Sequence, residues 1–396
     1  MGCDERVSID AIRVRELVLP FRIPFRISQG VMPARRSLIV ELESEGIVGY
    51  GESAPGEEPF YSEETIGTVR TVYEDLFLPR LIGKEFETVD DFDTELRRGV
   101  RGNPFARTGL ENAYWDVLCR RNGMPLVELI AAKLKDSGLS PEQCVPCKRI
   151  SSGVSVGIPE DNKLATLQRS IVEYLEDGYR RVKIKICPGW DVEACRAARE
   201  TVGDDFPLWT DANASFELTQ HLETFRAMDE FGLLFHEQPL DHCDLLDHAQ
   251  LAREIQTPIC LDESLKNSRA GRQALEVGSS RIWNIKVQRL GGLCEVLRVY
   301  RLAVERGVAL WGGTMPESGI GSQVILALAA FPAFVYPADV EASVRWYQAG
   351  CDPVEISMAT DGTITIPDTN GIADVMDMDR YKRFSGEVLN VIARVQ

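Results

Sequence analysis

Apolar and polar positions repeat with two different periods along this chain, and the change from one to the other divides it. Over residues 10–53 the runs IDAIRVRELVL, SLIVELES and GIVGYGES read as antiparallel strands around a polar turn region from Ser28 to Arg36. Residues 63–82 and 106–134 instead carry apolar side chains three and four apart, the spacing of helices with one buried face. Strands followed by helices predict a small α+β domain over residues 1–140. From about residue 150 to Val335, short apolar strands alternate with helices, beginning with SVGI, a helix from about 161 to 177, and RVKIKI. That alternation predicts βα units with parallel strands, which close most simply into a (β/α) barrel over residues 150–350. The tail, residues 351–396, returns to a two-residue period at DGTITIPDTNGI and then predicts a short final helix. It is expected to fold back on the N-terminal domain.

Six barrel runs end in an ionisable residue: RVKIKI with Lys183 and Lys185, PLWTDAN with Asp211, LLFHEQP with Glu237, PICLDES with Asp262, RIWNIKV with Lys286, and LWGGTMPES with Glu317. The steps from Lys185 to Lys286 are 26, 26, 25 and 24 residues, about one strand plus one covering helix. In a barrel, residues at the C-terminal strand ends converge on one mouth. Three carboxylates flanked by lysines are therefore expected together. A single acid at such a place is commonly a helix N-cap; three at this spacing, with both lysines, are not explained so.

Composition narrows the function classes. A net charge of −17 disfavours nucleic acid and anionic membrane surfaces as partners, since phosphate binding needs a basic face. No signal-peptide pattern and no long apolar span is visible, so a cytoplasmic location is expected. The ten cysteines are scattered, and the lone Cys144–Cys147 pair reads as a local connector rather than a metal or redox motif.

The residue types indicate the chemistry. Strand alternation puts Arg181, Lys183 and Lys185 on one face, and two inward lysines in a barrel need a partner or a task. Asp211, Glu237 and Asp262 offer only oxygen donors, which suits Mg²⁺, with Mn²⁺ as a possible substitute. Alternation points His236 away from them. Removing a proton α to a carboxylate requires a base of lowered pKa and strong positive charge where the enediolate develops. A divalent ion supplies the charge, and lysines close to it are expected to shift toward the neutral form. Lys185 and Lys286, four strands apart, would face each other across a small carboxylate substrate.

These residues resemble the enolase superfamily and, within it, the muconate-lactonising group with its K-x-K motif and second lysine. The resemblance is closer still to the o-succinylbenzoate synthase/N-succinylamino acid racemase family. It runs through FRIPFRISQGVMPARRSLIVELES, RGNPFARTGLENAYWDVLCR, GYRRVKIKICPGWDVE, TDANASF, DEFGLLFHEQPL, LDESL, NIKVQRLGG and ADVEASVRWY. It implies a (β/α)7β TIM-like barrel with an α+β capping domain, whose loop near Ser28–Pro33 closes over the mouth. It implies Mg²⁺ on Asp211, Glu237 and Asp262, and Lys185 and Lys286 as the acid–base pair. Lys183, Asn213, Arg289, Glu317 and Asp339 are then substrate-side residues, and the protein is expected to be a homo-oligomer. The implied activities are dehydration to o-succinylbenzoate, as in menaquinone synthesis, and racemisation of N-acylamino acids. Dipeptide epimerisation, suggested by Asp339 with Glu341, and muconate-type cycloisomerisation are the alternatives, and a noncatalytic scaffold would be expected to lack one of the five metal or lysine residues. The chain departs from the family pattern at Thr314, at Gly321-Ser322-Gln323-Val324-Ile325, and at Gln288, where glycine is usual.

Overall fold

The computed structural model describes residues 3–27, 30–59 and 61–393. Three strands, β1 (Ala11–Ile27), β2 (Gly30–Ser44) and β3 (Ile47–Ser53), form an antiparallel meander. Of the loop expected at Ser28–Pro33, residues 28 and 29 lie outside the described residues, while 30–33 belong to β2. The meander packs on α1 (Pro104–Asn122), a helix buried through most of its length. Glycines permit this approach: a Cβ on Gly51 would stand 2.1 Å from the Gly109 carbonyl oxygen, and one on Gly49 2.3 Å from that of Ala113. Any larger residue would force the sheet off the helix.

The second unit is the barrel. Strands β4 (Val154–Val156), β5 (Val182–Lys185), β6 (Leu208–Asp211), β7 (His236–Glu237), β8 (Ile259–Leu261), β9 (Ile282–Ile285) and β10 (Ala309–Gly312) pair in parallel in chain order. An irregular eighth stave closes the ring. The Leu310 N–H donates to the Ala333 carbonyl and the Asp339 N–H to Gly312, while Gly153 and Ala338 bond across the other side.

Alternation along the strands sorts the side chains. Val182, Ile184, Leu208, Leu261, Ile285 and Leu310 face the surrounding helices in the main core. Trp209, Phe235, Cys260, Ile282 and Trp311 point inward and fill the lower barrel, where the Arg181 guanidinium lies 4.2 Å from the Trp209 ring centroid. One inward step further along the same strands come Lys183, Asp211, Glu237, Asp262 and Asn284. A packed aromatic floor, with Arg181 as its one embedded charge among the side chains named here, thus separates the polar groups of the C-terminal end from the barrel's base.

The tail differs from expectation in two respects. A helix does form over Met378–Phe384, but it is followed by β11 (Ser385–Ala393), which adds antiparallel to β1 and makes a four-stranded cap sheet. The apolar, β-branched-rich run EVLNVIA forms a strand because β1 offers an unpaired edge. The DGTITI segment pairs instead with residues 149–151 beside the start of the barrel.

Candidate active site

Strand register sets the first contacts. Lys185 pairs with Asp211 and Asp211 with Glu237, so these three stand at adjacent positions around the mouth. Lys185 Nζ donates to Asp211 Oδ2 at 2.6 Å and to Asn213 Oδ1 at 2.5 Å, and Asn213 Nδ2 donates to Glu263 Oε1 at 2.9 Å. Lys183 Nζ lies deeper, 2.8 Å from Asp339 Oδ2 and 3.4 Å from both Asp211 Oδ2 and Glu237 Oε2.

The opposite side is built around Asp262. Lys286 Nζ donates to its Oδ2 at 2.8 Å, Arg289 Nη1 pairs with Oδ1, and the Tyr61 hydroxyl donates to Oδ1 at 2.8 Å. Tyr61 also accepts from Lys286 at 3.2 Å and from Arg289 at 3.1 Å. Arg289 is steered by donation from Nε to the Leu265 carbonyl at 3.0 Å and from Nη2 to that of Asn284 at 2.5 Å.

Burial and charge compete at each acid. Burial would raise Asp262, but Lys286 and Arg289 prevail and hold it below the usual carboxylate range. Asp211 is likewise lowered, by Lys185 and Lys183 against burial. Glu237 goes the other way: burial and then Asp211 push it up to about 8. Burial works against the charge of Lys286, yet Asp262, Tyr61 and Glu263 raise its pKa well above the ordinary value. Lys183 is raised too, with Asp339 and Glu237 outweighing burial. Direct pairing with carboxylates, which strand spacing does not reveal, keeps both protonated.

Glu237 offers the clearest fit to a cation. Its Oε1 accepts from Asn284 Nδ2 at 2.7 Å, while its Oε2 is buried without a hydrogen-bond partner. With Asp211 and Asp262 it makes an all-oxygen donor set suited to a hard ion. The three carboxylates are drawn toward their lysines and arginine rather than closed around one point. Among the described residues, the acid, imidazole and thiol group whose ligand atoms do lie within 4.8 Å of one another is Asp241, His242 and Cys243, near the surface.

The remaining expected residues divide. Asn213 and Arg289 join the mouth, whereas Glu317 stands in a neighbouring cleft with Asp339, Glu341, Ser343 and Tyr347. Glu317 Oε2 accepts from the Met315 N–H at 2.7 Å, and burial raises its pKa to about 7. Thr314 and Ser322, two of the departures from the family pattern, line that cleft. Asp339 is held by Arg181 and Lys183 at 2.8 Å each, and Glu341 accepts from the Ser155 N–H at 3.0 Å with Arg345 at 3.5 Å. His236 faces away, its Nδ1 2.7 Å from Thr210 Oγ1 and its ring edge-on to Phe225. Tyr61, Glu263 and Asn284 are the residues that strand-end reading overlooks. Glu263 and Asn284 sit one and two positions from expected residues, but nothing local marks Tyr61, which comes from the cap.

Comparison with known proteins agrees with this geometry. Residues 9–131 match the mandelate racemase/muconate lactonizing enzyme N-terminal domain, and residues 166–380 match the enolase C-terminal domain-like family. The chain is 38% identical over 367 residues to an N-succinylamino acid racemase of Thermus thermophilus, covering 92% of this chain and 94% of that protein. It is 36% identical over 383 residues to an o-succinylbenzoate synthase of Geobacillus stearothermophilus, covering 96% and 97%. A solved enolase-superfamily member from Listeria innocua superposes with a TM-score of 0.88 at 29% identity, over 98% of this chain and 99% of that one. With both halves matched and relatives covered almost end to end, the chain belongs to the mandelate racemase/muconate lactonizing enzyme family of the enolase superfamily.

Proposed function

We propose that this protein removes the proton α to a carboxylate, acting as an o-succinylbenzoate synthase, an N-succinylamino acid racemase, or both. The observation that carries this reading is the pair Lys185 and Lys286 on the second and sixth of eight staves, on opposite sides of the mouth. Enzymes of this family generally depend on a divalent metal ion. Mg²⁺ held by Asp211, Glu237 and Asp262 would supply positive charge at the substrate carboxylate and take over Asp262, which otherwise keeps Lys286 protonated.

The chain's own groups account for the proton movements. For racemisation, the lysine on one face takes the α-proton onto Nζ and the lysine on the other face delivers one. For dehydration, Lys185 takes the α-proton while the Lys286 ammonium stabilises the charge that develops as hydroxide leaves. Lys183, buried and tied to Asp339, keeps positive charge beneath the acids. Dipeptide epimerisation is less favoured, because Asp339 is already paired with Arg181 and Lys183 at 2.8 Å each, although Glu341, 3.5 Å from Arg345, keeps its Oε2 without a hydrogen-bond partner.

The test is solvent deuterium exchange with each enantiomer of an N-succinylamino acid. Lys185→Ala is expected to lose exchange with one enantiomer and Lys286→Ala with the other, each by about 10²–10⁴-fold. Racemisation should cease in both variants. Variants that keep racemising within a few-fold of the parent would exclude the two-base reading. A parent that forms o-succinylbenzoate but exchanges neither enantiomer would be a dedicated synthase.

A further inference from the structure

We propose that Gln288 is a positioning residue that clamps the end of cap strand β3 to the strand end carrying Lys286. Its side-chain amide forms two bonds to cap backbone: Oε1 accepts from the Ala54 N–H at 3.1 Å, and Nε2 donates to the Glu52 carbonyl at 2.9 Å. One amide thus serves two backbone positions two residues apart, as a neighbouring strand would. Gln288 is fully buried, so neither bond competes with solvent. A glycine at this position would offer neither bond.

What the clamp joins gives it consequence. On the barrel side, Gln288 belongs to the single helical turn Val287–Leu290, which starts directly after Lys286 and includes Arg289. Thr108 of α1 grips the same turn, donating to the Val287 carbonyl at 3.2 Å. On the cap side, Ala54 begins the segment that runs to Tyr61, whose hydroxyl touches Lys286, Arg289 and Asp262. Glu52 is anchored independently, its carboxylate accepting from the Ser318 N–H at 3.1 Å and the Gly321 N–H at 2.9 Å. Gln288 therefore fixes the take-off of the tyrosine segment against the turn that bears the lysine's neighbours. Lys185, on the far side, has no part in this linkage.

This inference rests on the two-lysine reading, and its test separates the two. Gln288→Met keeps the volume and removes both bonds; Gln288→Gly removes the side chain altogether. In D₂O with each enantiomer of N-succinylphenylalanine, both variants should slow exchange on the face defined by Lys286→Ala by about 10–100-fold, the range expected from a small misplacement. Exchange on the Lys185 face should stay within about 2-fold of the parent. Backbone amide exchange at Ala54, Gly56, Glu57 and Glu58 should accelerate in both variants, a readout that requires no turnover. Equal losses on both faces would mean general destabilisation and overturn the proposal, as would unchanged amide protection at Ala54. Should the parent exchange neither α-proton, the two-base reading fails, and the amide measurement still decides whether Gln288 clamps the cap.

Discussion

Lys185 keeps 30% of its side chain exposed and hydrogen-bonds to Asp211 and Asn213, both from the barrel. Lys286 keeps 8%, and its surroundings are assembled from two units: Asp262 and Arg289 from the barrel, Tyr61 from the cap. One side of the mouth can form when the strands pair, whereas the other is complete only when the cap has docked. Two groups proposed for equivalent work on opposite faces of one carbon are therefore held by supports of unequal extent. Damage to the cap should reach them unequally.

The sharpest way to break the contrast is to neutralise the acid at the closed end. Asp262→Asn strands Lys286 and Arg289, both nearly fully buried, and should cost about 3–5 kcal/mol in urea unfolding of the chelated protein. It should also abolish the rise in melting temperature on adding Mg²⁺ that ligand linkage predicts for the parent. A variant that melts like the parent with and without Mg²⁺ would remove Asp262 from the ion's donor set.

A milder change probes the cap's contribution alone. Tyr61→Phe removes a hydroxyl bonded to three charged groups, an interaction class worth about 1.5–3 kcal/mol. α-Proton exchange through Lys286 should fall about 10–100-fold, with exchange through Lys185 little changed. Equal losses on the two faces would mean that the asymmetry has no functional weight.

A further probe concerns the cap–barrel junction and its pH dependence. Glu111 of α1 accepts from the Cys294 N–H at 2.6 Å, and burial followed by the Asp93 charge raises its pKa from 4.5 to about 8. In that window the folded state binds more protons than the unfolded state, so stability falls as pH rises from about 4.5 to about 8. The urea midpoint should decline over this range, and Glu111→Gln should flatten the decline. A midpoint independent of pH in the parent would refute the shift.

Strand-end spacing made the barrel side of this contrast readable before any coordinates, because a βα unit has a nearly fixed length and parallel strands share a direction. Asp211, Glu237, Asp262, Lys185 and Lys286 follow from that alone. Tyr61 does not, since its place depends on how a separate sheet docks and no periodicity crosses that gap. The protonation of Lys286 was equally hidden: it turns on distances of about 3 Å to Asp262 and Tyr61, which spacing in sequence does not encode. Glu317 is a different case. It ends a strand-like run as the others do, but the chain turns after Gly312 and carries it into the adjoining cleft. The final strand was missed because its short apolar run has no two-residue period of its own and gains meaning only from a partner edge more than 360 residues earlier.

That last pairing has a consequence for synthesis. Ala11 of β1 sits opposite Ala393 of β11, a separation of 382 residues. At translation rates of roughly 5–20 residues per second, β1 emerges roughly 20–80 s before its partner exists. Throughout that interval a 17-residue strand presents an open edge while the barrel is still being made. Arg13 and Arg15, bound to Glu43 and Glu41 on the neighbouring strand, put charge beside that edge and discourage another nascent chain from pairing there. The sheet that delivers Tyr61 is thus begun first and finished last, and a ribosome-bound chain stalled short of residue 385 would carry a formed barrel beneath a cap still missing one strand.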